Sequence, residues 1–151
     1  MRKHIFREFS LVIEKYYIEI FTLEVLIAIL VRPSIYFLVI LGLSSGAAIL
    51  FAEGLKVIIR EGRPVGAPER RTRGGMFRLR FRSFPSAHSA IAMVFVGAFL
   101  NSFFFIPFLA FAVLVMYSRV YIKSHYIHDV IAGGLIGFLI SYLLSGLIFN
   151  L

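Results

Sequence analysis

The sequence predicts an all-α integral membrane protein, a helical bundle with four or five transmembrane helices and one basic interfacial loop. The 151 residues are 60% hydrophobic and only 16% charged, and the mean hydropathy is +0.89. Soluble globular chains carry about 25% charged residues. The length fits a single membrane-embedded domain over residues 1–151, and the lack of cysteine excludes a disulfide framework or a thiolate metal site.

Two long uncharged segments are the clearest transmembrane helices. Residues 33–52 and 130–151 contain no Asp, Glu, Lys or Arg. Each segment is long enough to cross a hydrocarbon layer of about 30 Å as a helix. We therefore expect both to span the membrane.

A third uncharged segment is too long for one crossing. The 36 residues between Arg82 and Arg119 contain no Asp, Glu, Lys or Arg, and as one helix they would far exceed the bilayer thickness. Asn, Ser and Pro within 101–107 mark a turn. The segment is therefore predicted to form two spans, over about 86–105 and 106–122.

Residues 1–31 allow two interpretations. Charged side chains interrupt an otherwise apolar and aromatic stretch: Glu8, Glu14, Lys15, Glu19 and Glu24. A charge at the bilayer centre costs about 3 kcal/mol on insertion scales, so a spanning segment needs interior partners for its carboxylates. The alternative is a helix lying in the membrane interface.

A basic loop is predicted over residues 60–83, since eight of the sixteen Lys and Arg residues lie there beside Pro and Gly. Within it, MFRLRFR alternates apolar Phe77, Leu79 and Phe81 with arginines, which suits an extended segment with one cationic face. Such a stripe could bind nucleic acid in a soluble protein. Between two spans, membrane lipid headgroups are the expected partner, and no nucleic acid is predicted. Several cations are interpreted as membrane anchors: Arg60, Arg70, Arg71, Arg73 and Lys123.

Helix direction brings separated polar segments to one membrane face. The second helix ends near Lys56 and the chain continues to Arg63, while the third helix opens at His88. The fourth helix ends at Arg119, and the fifth begins near Asp129. Because successive helix ends alternate sides, these residues should lie together. The three cations would then form a cage for a phosphate-like oxyanion.

Two histidines and an aspartate supply reactive groups at this face. His125 and Asp129 are four residues apart, so a carboxylate could fix the imidazole tautomer and leave the other ring nitrogen free to attack phosphorus. His88 could protonate the leaving oxygen. A zinc site formed by His125, His128, Asp129 and His88 is the alternative. Three nearby cations would oppose a bound dication, so no metal and no other cofactor is predicted.

These residues resemble the three-part signature of the type 2 phosphatidic acid phosphatase (PAP2) superfamily, whose soluble relatives include vanadium haloperoxidases. The matching blocks, which cover residues 56–129, are Lys56 with Arg63 and Pro64; Pro85, Ser86, Ala87 and His88; and Ser118 and Arg119 with His125 and Asp129. Two departures are visible. Ala87 stands where the family usually has glycine, and the chain supports fewer than the six spans common in membrane members.

The resemblance implies a role for each matching residue. His125 would be the nucleophile that forms a phosphohistidine, Asp129 would orient it, and His88 would be the general acid. The phosphate would be held by Lys56, Arg63, Ser86, Arg119 and the backbone amide of Ala87.

The predicted function is a metal-independent membrane phosphatase acting on a lipid phosphate of the phosphatidate type or on an isoprenyl diphosphate. A lipid phosphotransferase using the same site is an alternative. A catalytically silent anion-binding or scaffolding membrane protein is disfavoured, because it would not require the histidines and the aspartate. The chain is expected to be a multi-pass protein of the cell membrane. Its basic residues favour a cytoplasmic site, whereas many bacterial relatives work on the outer face.

Overall fold

A computed structural model describes residues 2–67 and 82–149, with side chains over 6–67 and 82–146. This part of the chain forms six helices: α1 (Arg2–Lys15), α2 (Tyr17–Val31), α3 (Ile35–Ile59), α4 (Ala87–Ala98), α5 (Phe105–Tyr121) and α6 (Ile127–Phe149). The described residues contain no strand, although Gly62 and Arg82 form an isolated antiparallel bridge. The prediction of an all-α fold is confirmed.

The N-terminal segment, for which the sequence allowed either a span or an interfacial helix, forms the two helices α1 and α2. Tyr16 separates α1 from α2 with φ −108° and ψ 26°, outside the helical region. Helix α1 contacts α5 through the rings of Phe6 and Tyr117, whose centroids are 5.9 Å apart. Helix α2 packs against α4 through Phe21 and Phe95, 5.7 Å apart.

The turn between α4 and α5 lies earlier than predicted. Helix α4 ends at Ala98 and α5 begins at Phe105, so the turn occupies 99–104. Pro107 lies in the first turn of α5, not in the connection. Proline is tolerated there because the first backbone N–H groups of a helix have no partner within the helix.

An aromatic cluster joins α3, α4 and α5 in the core. The rings of Phe99 and Phe108 stack with centroids 4.8 Å apart, and Phe95 lies 5.5 Å from Phe108. Phe37 meets Phe99 edge-on at 5.2 Å. All four side chains are buried. Aromatic pairs of this kind add about 0.5–1.5 kcal/mol each beyond the area they bury.

Helices α4 and α6 approach closely because α6 carries glycine at the contact. A Cβ atom at Gly133 would collide with the carbonyl of Ser86, and one at Gly137 would collide with the carbonyl of Ala90. The start of α6 is thereby held against the start of α4. This packing brings the two ends that carry Asp129 and His88 to the same end of the bundle.

The bundle surface is strongly apolar. Large aliphatic side chains such as Leu30, Leu50 and Leu143 are exposed, as expected of residues that face lipid. Helix α3 and residues Ile127–Gly146 of α6 are long and apolar enough to cross a membrane, while α4 and α5 are shorter apolar helices. The number of membrane passes stays a prediction.

Candidate active site

His125 is fixed at the end of α5 by its own backbone. The N–H groups of Ser124 and His125 both donate to the carbonyl of Arg119, at 3.0 and 3.2 Å. Lys123 precedes them with φ 57°, in the left-handed region. The chain therefore turns back immediately after α5, and the His125 side chain is buried with 3% exposure.

Asp129 links this turn to the start of α6. It is the third residue of the helix, and its Oδ2 accepts a hydrogen bond from the N–H of Tyr126 at 2.8 Å. A carboxylate at this position commonly caps the first turn in this way. The same Oδ2 lies 3.4 Å from Nδ1 of His125. The predicted pairing of His125 with Asp129 therefore has a local structural basis, and Asp129 itself is fully buried.

Ser86 connects the start of α4 to the same place. Its N–H donates to the carbonyl of Asp129 at 3.0 Å. Its hydroxyl caps α4, accepting from the N–H of Ser89 at 3.4 Å and from the Ser89 hydroxyl at 3.0 Å. Ala87 is the first residue of α4 and is not among the described residues with positive φ. Its backbone is ordinary, so alanine in place of glycine causes no strain.

His88 lies in the first turn of α4 and is partly buried. The ring of Tyr17, at the start of α2, contacts it with a centroid distance of 4.1 Å and an interplanar angle of 60°. The predicted general acid is therefore positioned by a tyrosine that sequence reasoning did not single out. Nothing in the sequence pattern connects residues 71 positions apart.

The predicted phosphate-binding cations come from three elements. Arg63 donates from Nη1 to the carbonyl of Ser124 at 3.0 Å, next to His125. Lys56 is buried in the last turn of α3, and its Nζ lies 2.5 Å from Oε1 of Glu53. Arg119 is fully buried, with Nε 3.3 Å from the Ser118 hydroxyl.

Glu14 also joins the site, although its sequence position did not predict this. Its Oε2 forms an ion pair with Nη1 of Arg119, so α1 supplies a carboxylate to the predicted phosphate site. The available signal was a charged side chain in an apolar stretch. That signal shows that Glu14 needs a partner but does not identify Arg119.

The C-terminal end of the basic loop contacts the end of α3 and the residues that follow it. Arg82 donates from Nη1 to the carbonyls of Lys56 and Val57, at 2.5 and 2.8 Å. Ser83 donates its N–H to the carbonyl of Glu61 at 2.9 Å. The alternating stripe predicted at Phe77, Leu79 and Phe81, and the predicted anchors Arg70, Arg71 and Arg73, lie outside the described residues.

The surroundings of His125 keep its imidazole neutral. Burial lowers the pKa of His125 below its ordinary value, and the positive charges of Arg63 and Lys56 act in the same direction. The contact with Asp129 opposes this shift. A neutral imidazole keeps one ring nitrogen with a free lone pair, as a nucleophile requires.

The His128 imidazole contacts two carboxylates. Its Nε2 lies 2.9 Å from Oε1 of Glu61 and 3.1 Å from Oδ1 of Asp129. It therefore uses the second oxygen of the carboxylate that faces His125. The predicted alternative was a zinc site formed by His125, His128, Asp129 and His88. The metal-ligating atoms that lie together at His128 belong instead to Glu61, His128 and Asp129.

An open depression of about 430 Å³ gives access to His125. It is lined by Pro64, Val120, Lys123, His125, Tyr126, Ile127 and His128. Ile127 is 65% exposed at its rim. The depression therefore combines an apolar border with the buried histidine.

The fold and site define an all-helical membrane protein with a histidine–aspartate pair beside buried cations. The model of the PAP2 superfamily matches residues 37–151, and the chain belongs to that superfamily, which supports a phosphatase. A search of the curated proteins gave no match. The chain is similar in fold to a transmembrane PAP2-type phosphatidylglycerolphosphate phosphatase from Bacillus subtilis, with a TM-score of 0.70 and 23% identity. The similarity covers 99% of this chain and 77% of that one.

Proposed function

We propose that this chain is a lipid phosphate phosphatase that works through a phosphohistidine without a metal. The observation that carries the proposal is the pairing of Asp129 Oδ2 with His125 Nδ1 at 3.4 Å. The carboxylate favours the tautomer with the proton on Nδ1, which leaves the Nε2 lone pair for attack on phosphorus.

The first step transfers the phosphoryl group to the protein. Nε2 of His125 forms a bond to phosphorus while the bond to the ester oxygen breaks, and His88 gives that oxygen a proton. Arg63, Lys56 and Arg119 neutralise charge on the phosphoryl oxygens, where preorganised donors are most effective. The lipid alcohol, or a monophosphate in the case of a diphosphate substrate, leaves.

The second step restores the enzyme. Water attacks the phosphohistidine, His88 takes its proton, and the phosphorus–nitrogen bond breaks to release inorganic phosphate. Neutral His125 is regenerated. Support for this assignment comes from family membership, from the buried cations and from the lowered pKa of His125.

The substrate we propose is a phosphatidate-type lipid phosphate or an isoprenyl diphosphate. Exposed apolar residues border the depression at His125, so a lipid tail can remain in the bilayer while its phosphate enters. We place the site on the cytoplasmic face, because eight of the sixteen Lys and Arg residues lie in the sequence between the end of α3 and the start of α4. The chain has no cysteine and Val65 is 93% exposed. Labelling of Val65→Cys by an impermeant maleimide in intact cells would contradict this orientation.

The test of the mechanism compares two neighbouring histidines. His125→Ala should abolish phosphate release, because no covalent route remains. His128→Ala, which removes an exposed histidine three residues away, should keep most of the activity. Chelation with EDTA should leave wild-type activity intact. Phosphate release by His125→Ala near the wild-type rate would show that the assignment is wrong, provided that both variants melt near the wild-type temperature.

A further inference from the structure

Three metal-ligating atoms converge beside the predicted active site. They are Oε1 of Glu61, Nε2 of His128 and Oδ1 of Asp129, all within 4.8 Å of one another. The imidazole nitrogen lies 2.9 Å from the Glu61 oxygen and 3.1 Å from the Asp129 oxygen. Zinc holds nitrogen and oxygen ligands at about 2.0–2.1 Å in tetrahedral geometry, which places neighbouring ligand atoms about 3.3 Å apart. Small side-chain adjustments would bring all three to those separations.

A second observation points to a cation at this position. Asp129 is fully buried, and its Oδ1 has no hydrogen-bond partner within the described part of the chain. The contact of His128 with Glu61 has hydrogen-bond geometry, whereas its 3.1 Å contact with Asp129 does not. Nε2 of His128 has one proton, which it can donate to the Glu61 oxygen. The buried Oδ1 of Asp129 is then left without a hydrogen bond, at a cost of about 1–3 kcal/mol. A cation would satisfy all three atoms at once.

The backbone holds the three ligands in place. Glu61 follows α3, and its carbonyl accepts from the N–H of Ser83 at 2.9 Å. His128 and Asp129 are in the first turn of α6. The ring of Tyr126 stacks on His128 with a centroid distance of 5.4 Å and an interplanar angle of 9°. The ligands therefore come from two elements fixed independently of the metal.

The charge balance favours a dication. Glu61 and Asp129 together supply two negative charges to this cluster. Arg63 and Lys56 are close enough to affect His125. Arg63 donates to the carbonyl of Ser124, and the ammonium of Lys56 is paired with Glu53. The side chain of His128 is 56% exposed, so an ion can reach the cluster from water. Carboxylate and imidazole ligands suit zinc and related divalent transition metals.

We propose that Glu61, His128 and Asp129 bind a divalent transition-metal ion such as Zn²⁺, and that the bound ion lowers phosphatase turnover. The ion takes Oδ1 of Asp129, while Oδ2 of the same carboxylate faces His125. Metal binding withdraws negative charge from the group that orients the nucleophile. The binding part stands on geometry alone, and the effect on turnover rests on the proposed function.

Binding is tested on the purified full-length chain in detergent, stripped of metal. Isothermal titration with Zn²⁺, and the visible absorption of Co²⁺ as a spectroscopic probe, should show one ion per chain. His128→Ala and Glu61→Gln should each weaken binding at least about tenfold. The matched control is Glu8→Gln, which removes an exposed carboxylate on α1 and should bind like the wild type. Equal Zn²⁺ affinity in all four proteins, or no binding by the wild type, would overturn the site.

Inhibition is tested separately. Zn²⁺ should lower phosphate release by the wild type and by Glu8→Gln, EDTA should restore it, and His128→Ala should be insensitive. Equal inhibition of His128→Ala would overturn the inhibitory role, as would binding that leaves turnover unchanged. Because the Co²⁺ spectrum does not depend on phosphatase activity, failure of the proposed function would leave the binding result intact.

Discussion

Glu14 of α1 and Arg119 of α5 form an ion pair between residues 105 positions apart in the sequence. Arg119 is fully buried, whereas Glu14 is 29% exposed. The family match begins at residue 37, so Glu14 lies outside it. The N-terminal helix thus supplies the counter-charge for a cation that we assign to phosphate binding.

The first prediction concerns this ion pair. Glu14→Gln leaves the Arg119 guanidinium without that counter-charge, which should destabilise the protein by about 1–3 kcal/mol. Orthovanadate, a phosphate-like oxyanion, would supply the missing negative charge. It should therefore raise the melting temperature of Glu14→Gln more than that of the wild type.

Glu8→Gln, an exposed change on the same helix, is the control and should respond to vanadate like the wild type. Equal vanadate shifts in all three proteins would show that Glu14 and the oxyanion do not share Arg119.

The second prediction concerns the proton given to the leaving group. General acids contribute about 10²–10⁴-fold to rates, so His88→Ala should lose about that much activity on an alkyl phosphate. A nitrophenyl phosphate needs little protonation, and its hydrolysis should fall far less. The measurement is kcat/KM on both substrates, and the same fold loss on each would contradict the role of His88.

The third prediction concerns the contact between α4 and α6. A Cβ at Gly137 would collide with the backbone carbonyl of Ala90, which cannot move away as a flexible side chain could. Gly137→Ala should therefore destabilise the protein by about 1–3 kcal/mol and reduce activity, since α6 carries Asp129. At Gly42 an added Cβ meets nothing within 4 Å. Gly42→Ala should be neutral or stabilise by up to about 1 kcal/mol. Equal melting temperatures for the two variants would refute the close contact.

The fourth prediction concerns the substrate. Each tail methylene kept in an apolar setting contributes about 0.8 kcal/mol. The catalytic efficiency on short-chain lipid phosphates should therefore rise steeply with chain length and then level off. Glycerol phosphate and sugar phosphates should be poor substrates. Equal efficiency on a sugar phosphate and on a long-chain lipid phosphate would replace the lipid assignment with a phosphatase of soluble esters.

The sequence by itself determined the features that depend on local patterns. Uncharged runs located α3 and α6, because a helix that crosses lipid must be apolar along its length. The four-residue spacing of His125 and Asp129 predicted their contact. The contact forms across the turn before α6 rather than along a helix, because His125 precedes α6 and the Asp129 carboxylate caps the first turn of that helix. Each of these features depends only on residues that are close together in the sequence.

Only the tertiary structure decided which distant groups meet. The pairing of Glu14 with Arg119, of Tyr17 with His88, and of Glu61 with His128 joins residues 67 to 105 positions apart. A buried charge must find a partner, but the charge does not specify which one. The partners depend on how the helices pack. The break at Tyr16 separates α1 from α2, and the glycines of α6 set how closely that helix approaches α4.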